Sequence, residues 1–458
     1  MVKVMILERA LISMKKHKIF LGTMFAGLFF LATIPSAASQ QPQIRTGTAQ
    51  GVRARMAVAD FQLRPPTPQL VELTKIFDKV LWDDLDMAGV FELVPKSFYP
   101  LKLPAKPTEV IIGQWTSNEV KAQDLVYGNV SLDGSDFAAE CRLLDLNTNE
   151  SILGLRYRVT PDERGVRSAA HKFADEIVSR LGGGIPGIAS TQLAFVSDRT
   201  GHKEIWVMDY DGYGQHNITN HRSIALTPRW SRDNSKIAYT SYRRGNPDLY
   251  IQSLSDNRLL SFPTFGGLTT TPAWAPDGER IAFTSSQTQD PEIYVSDIRG
   301  RNLKRLTNSR GVDISPVWNP KTGLEIAFVS DRSGSPQIYM MDAEGASVRR
   351  LTTEGGEAVS PSWSPDGDKI AFAWRKALTG NFDIFLIDIA TGKYIQLTRD
   401  SGNNEQPVWS PDSRHIAFES SRNGGRQIFI MLANGTRQKA VTNVGRNTAP
   451  SWSNFIQK

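Results

Sequence analysis

Cysteine is almost absent: Cys141 is the only one in 458 residues. No internal disulfide can form, so the fold must rest on its core rather than on covalent cross-links. Beyond the N-terminus there is no apolar run long enough to span a bilayer. Familiar catalytic signatures are missing too. Gly345-Ala346-Ser347 is followed by Val348-Arg349, so there is no nucleophile elbow. Gly392-Lys393 is followed by Tyr394 and lacks the upstream glycine of a phosphate loop. None of the six histidines precedes a glutamate, which excludes His-Glu-x-x-His. His202, His216 and His221 lie close in sequence but on different segments, as scattered loop histidines do. No catalytic set, no metal ligands and no cofactor are expected. A calcium ion on turns such as Asp209-Tyr210-Asp211-Gly212, or in a central channel, is not readable from the spacing, which fits a hairpin turn as well.

Charge of one sign is scarce in the body of the chain. The net charge is +6, but the first 38 residues hold five basic residues against one acidic. The near-neutral remainder is no nucleic-acid footprint. Lys15, Lys16 and Lys18 precede the apolar run Ile19 to Ile34, and Pro35-Ser36-Ala37-Ala38 follow. A basic stretch, an apolar stretch and small residues make residues 1–38 a secretory signal peptide, cleaved after Ala38 or Ser39. Met14 begins a complete signal by itself. Residues 39–52 are expected to form a mobile N-terminal segment of an exported, periplasmic protein.

What is present in quantity is pattern. Arg53 to Phe61 alternates as a strand. Thr67-Pro68 reads as N-cap and first helical position. Leu70, Leu73, Phe77, Val80, Leu81 and Leu85 follow at helical spacing, and Gly89 stops the helix. Pro95 to Pro107 is a Pro-rich loop. Leu125 to Leu132, Phe137 to Leu146 and Ile152 to Thr160 read as strands joined by polar turns. Val166, Ala170, Phe173, Ile177 and Leu181 share one face of a second helix, ended by Gly182-Gly183-Gly184. Residues 53–183 are therefore expected to form a small α/β domain, with 184–191 as linker.

From 192 to 458 one unit repeats. Pro-x-Trp ends at Trp230, Trp274, Trp318, Trp363, Trp409 and Trp452, at steps of 43 to 46 residues. Ile-Ala-Phe or a close variant recurs from Leu193-Ala194-Phe195 to Ile416-Ala417-Phe418. A third element places Ile or Leu before an aromatic, from Ile205-Trp206 to Ile428-Phe429, and Leu-Thr punctuates the unit. Four short strands at a period near 44 residues mean a β-propeller. The first unit lacks its Pro-x-Trp strand, and Pro450-Ser451-Trp452 has no unit of its own. Residues 449–453 therefore complete the unit begun at Leu193, which gives six blades and closes the ring. The fold class is mainly β: a six-bladed propeller preceded by a small α/β domain.

Signal peptide, α/β domain and six units in this order resemble the TolB family, periplasmic propeller proteins of the Tol–Pal envelope system. The residues that carry the resemblance are Pro361 to Phe372, Asp209-Tyr210-Asp211-Gly212-Tyr213 and Ala449-Pro450-Ser451-Trp452-Ser453. The resemblance implies a non-enzymatic scaffold that binds the lipoprotein Pal on the propeller face and supports outer-membrane integrity and cell division. It places partner contacts on loops entering the Pro-x-Trp strands: Thr227, Thr271, Asp313, Ser315, Ser360, Glu405, Gln406 and Ala449. It also implies that residues 39–52 engage TolA. Here Gln40 to Gly51 is rich in Gln and Gly where proteobacterial members are acidic, a composition that can still add as a strand to a partner sheet. Two other readings compete. A propeller hydrolase or lyase needs carboxylates or histidines converging in the channel. A peptidoglycan- or carbohydrate-binding module needs aromatics exposed on one face.

Overall fold

The computed structural model describes residues 53–377 and 379–456. The expected signal peptide and the segment 39–52 lie outside them. No helix among the described residues is long and apolar enough to cross a membrane.

The α/β domain follows from its caps and its apolar spacing. Thr67 accepts the Leu70 N–H and Pro68 opens helix α1, Pro68–Met87. Asp162 accepts the Gly165 N–H at 2.7 Å and starts helix α2, Glu163–Leu181. Strand β1 (Ala54–Val58) lies parallel between β3 (Phe91–Leu93) and β4 (Asp124–Asp133). Strands β5 (Asp136–Asp145) and β6 (Glu150–Val159) extend the sheet antiparallel, and β2 (Gln62–Leu63) pairs with β4. Both helices pack on one face, around Phe61, Phe77, Phe137 and Phe173. Trp115, Val94 and Val120 cover part of the other. The first strand ends at Val58 rather than at Phe61. Phe61 leaves the sheet because its ring joins the helix-facing core while Asp78 accepts its N–H at 3.1 Å.

The repeat builds six four-stranded antiparallel sheets. The first whole blade is Ala225–Trp230, Lys236–Arg244, Asn246–Ser253 and Leu259–Leu260. Blades two to five begin at Thr269, Asp313, Glu357 and Asn404. The sixth is split: Asn447–Trp452 is its inner strand and pairs with Gln192–Ser197. The inner strands of neighbouring blades touch one another all the way round, so they surround the axis. Ile-Ala-Phe strands are buried on both faces, as their unbroken apolar run requires. The Leu-Thr punctuation has a physical cause. Thr219, Thr307, Thr352, Thr398 and Thr442 each accept the N–H of the isoleucine at the second position of the third strand, at 2.8–2.9 Å. A hydroxyl there clasps the outer strand to its sheet where the backbone ladder is only two or three residues long.

The candidate functional site: a ring of bulges around the axis

The inner strands carry one irregularity each, at the same place. The ladder slips between Leu226 and Arg229, between Thr270 and Ala273, and at the matching points of the other four blades. The residue before each proline sits in the left-handed region: Thr227, Thr271, Ser315, Ser360, Gln406 and Ala449, with φ from 50° to 55°. Proline bars its predecessor from the right-handed helical region. The two-to-one slip of a β-bulge then takes the left-handed alternative. None of the six is glycine, so each costs on the order of 1 kcal/mol that the surrounding sheet must offset.

Six of the eight expected contact residues are therefore the bulge residues themselves. They lie inside the inner strands rather than on loops leading into them. The other two, Asp313 and Glu405, are buried beside the bulges. Asp313 Oδ2 accepts from Arg332 Nη2 at 2.7 Å, and its Oδ1 has no partner. Glu405 Oε1 accepts from Arg426 Nη2 at 2.7 Å, and Arg426 also bonds Glu419.

Sequence reading missed what joins the bulges. Thr227 and Thr240 share a hydrogen bond at 3.0 Å between their hydroxyls. Thr240 accepts the Thr271 N–H from the next blade at 3.2 Å. The Thr271 and Thr284 hydroxyls bond at 2.8 Å, and Thr284 accepts the Ser315 N–H at 3.2 Å. A hydroxyl chain thus runs across three blades. On another part of the ring the same role falls to a charge, for Glu419 Oε2 accepts the Ala449 N–H at 3.0 Å. Burial pushes the Glu419 carboxyl up to about 7, against the pull of Arg426. The signal was available: the residue after each Ile-Ala-Phe is Thr240, Thr284 and Glu419 where a bridge forms. It is Val196, Val329 and Ala373 elsewhere, side chains that cannot accept.

The tryptophans are structural. Trp230, Trp318, Trp363, Trp409 and Trp452 are buried in clusters shared with neighbouring strands. Trp274 Nε1 donates to Arg229 O of the preceding blade at 3.0 Å. The three clustered histidines stay apart in role. His216 bonds Gly214 O, and His221 lies near the Tyr239 and Tyr250 rings. Among the described residues no three His, Cys, Asp or Glu side chains are grouped to hold a metal ion.

Comparison with known proteins agrees in both modules. A family model for the TolB beta propeller domain matches residues 180–378 and 356–456. One for the TolB amino-terminal domain matches residues 43–152. A relative named Tol-Pal system protein TolB, from Syntrophotalea carbinolica, is 37% identical over 44% of this chain and 46% of its own. A second of that name, from Geobacter metallireducens, is 37% identical over 45% of this chain and 47% of its own. The chain spans about half the length of the curated relatives it matches. The crystal structure of TolB from Acinetobacter baumannii superposes with a TM-score of 0.75 and 28% identity, covering 88% of this chain and 97% of that one. With both modules matched in order and the fold shared along nearly its whole described length, the chain belongs to the TolB family.

Proposed function

We propose that the protein is a non-enzymatic periplasmic scaffold of the Tol–Pal system, and that its propeller holds the lipoprotein Pal at the ring of bulges. Through Pal it would be peripheral to the outer membrane and would support envelope integrity and constriction at division. The observation that carries this reading is the ring itself. Six non-glycine residues held left-handed around one axis are a costly arrangement, and such backbone clusters where binding occurs. Thr271, Ser315 and Gln406 are only partly buried and offer two hydroxyls and an amide rather than an acid–base pair, which suits holding a peptide segment by hydrogen bonds. Residues 39–52 are assigned to TolA on the family resemblance.

Calorimetric titration of the mature protein with soluble Pal from the same organism tests the reading. Saturable heat at micromolar concentration supports it. No heat at high micromolar concentration overturns it.

A further inference from the structure

The segment Asp209-Tyr210-Asp211-Gly212-Tyr213 lies away from the bulges, and its role is visible at the junction of the two domains. Tyr210 donates its hydroxyl proton to Asp84 Oδ1 of α1 at 2.6 Å. The other oxygen of that carboxylate, Oδ2, meets His171 Nδ1 of α2 at 2.7 Å. Asp211 pairs with Arg167 of α2, whose guanidinium also lies 4.3 Å from the Tyr213 ring centre. Gly212 passes so close to the Val441 carbonyl that a Cβ would stand 2.3 Å from its oxygen. One short propeller turn therefore grips both helices of the α/β domain.

This junction is polar and buried at once. Asp84, His171 and Tyr210 are 4%, 4% and 2% exposed. Three ionisable or phenolic groups are rarely placed so deep unless they are paired. His171 is held on one side only, because its Nε2 has no partner. A small cavity beside the triad is lined by Asp84, Asp175, Tyr210, Asp412 and His415. Across it His415 Nε2 bonds Met87 O at 2.8 Å, while its Nδ1 bonds Asp412.

We propose that Asp84, His171 and Tyr210 form a proton-dependent latch that holds the α/β domain against the propeller and loosens as pH rises. The groups facing His171 are Asp84 from α1, Tyr210 and Asp211 from the propeller turn, and Arg167 on its own helix. Asp175, also on α2, faces Asp84 and accepts the Ala189 and Ser190 N–H groups of the linker. Burial raises the Asp84 carboxyl above its ordinary range, against the pull of His171. Burial pulls His171 down most strongly, but the charge and the hydrogen bond of Asp84, with the charge of Asp211, together outweigh it and hold the imidazole above its ordinary value. Burial also pushes Asp175 up to about 6. All three shifts have one sign. The docked arrangement binds more protons than separated domains would, so docking is favoured at lower pH and is lost as pH rises through the raised values. One proton taken up on docking changes the docked ratio by about tenfold per pH unit.

The test uses the full mature chain with spin labels on Leu101→Cys and Val444→Cys, both exposed and one in each domain. Cys141 is buried and does not label. Pulsed dipolar spectroscopy at pH 5.5 should give one narrow distance. At pH 8.5 a second, broader population should appear, with near-ultraviolet dichroism unchanged. Asp84→Asn, which keeps an oxygen to accept from Tyr210 and removes the charge that holds the imidazole up, should weaken the pH dependence. Tyr210→Phe, which deletes one oxygen without a cavity, should loosen docking at both pH values and leave the dependence in place. Identical wild-type distributions at both pH values, or a pH dependence as steep in Asp84→Asn as in the wild type, overturns the latch. Pal titration stands apart from this result, since none of the three residues belongs to the ring.

Discussion

Trp452 lies opposite Leu193 in one antiparallel ladder, although more than half the chain separates them. The indole also donates to Thr191 Oγ1 at 2.8 Å, and Ser453 accepts the Gln192 N–H at 2.9 Å. The last strand is therefore the inner wall of the blade that the propeller begins with. Ending the chain at Arg446 should lower the melting temperature sharply and broaden the transition. Trp452→Ala alone should cost about 3–5 kcal/mol, as removal of a buried indole does. A truncated protein that melts with the wild type in a calorimetric scan would refute the closure.

Ser360 offers a cleaner probe of the ring than a charge reversal would. Its hydroxyl is buried without a partner, and its φ is 55°. Ser360→Gly removes an unsatisfied polar atom and a strained Cβ together. The variant should melt a few degrees higher. Because glycine also frees the backbone of the bulge, affinity for Pal should fall about tenfold at the same time if the held backbone serves binding. A rise in stability with affinity unchanged would free Ser360 from the proposed contact set.

The ion cluster of the fifth blade should answer to stability rather than to binding. Arg426 is 8% exposed and bonds two buried glutamates. Arg426→Met leaves Glu405 and Glu419 buried without their counter-charge and should cost about 3–5 kcal/mol. Glu405→Gln should cost less, because an amide oxygen can still accept from the guanidinium. Chemical denaturation of both variants ranks them, and a reversed order would mean that the Glu405 carboxylate matters to the cluster more than its pairing with Arg426.

Asp78 sets a pH dependence within the α/β domain. Burial pushes its carboxyl up to about 8, although it accepts the Phe61 N–H. The folded state therefore binds more protons than the unfolded state between the ordinary carboxylate pKa and about 8. Stability contributed by the protonated form is present at low pH and declines as pH rises across that interval. Asp78→Asn should flatten the decline and raise the melting temperature at pH 8. A variant whose stability falls with pH as steeply as the wild type would place the effect elsewhere.

The propeller was legible because repetition multiplies a weak signal. One Ile-Ala-Phe is three apolar residues, but six at a fixed period can only be stacked sheets. Thr67-Pro68 was legible because capping is local, decided within one turn of helix. The short strands β2 and β3 were not, since two or three residues hold no alternation to detect. Nor were the bulges, although every one precedes a proline, because slippage depends on the partner strand. The junction was least legible of all. Asp84 and His171 are 87 residues apart, and Tyr210 lies 126 from Asp84. Each looks unremarkable on its own element, and only folding gives the three a common carboxylate. Asp313 and Glu405 are named only through the family resemblance, and no local signal foretells their surroundings: both are buried against arginines of their own blades.

The split blade also fixes the order in which the molecule can be finished. A chain made N-terminus first presents Gln192–Ser197 long before Asn447–Trp452 arrives. Until then the Gln192–Ser197 edge stands open, a row of unpaired amides and carbonyls that a foreign strand could join. Pairing across such a sequence separation is slow to form. The propeller is thus open to misassembly from the time Gln192–Ser197 forms until Asn447–Trp452 pairs with it. A chaperone that shields sheet edges should bind the unfinished ring and release it when Trp452 docks.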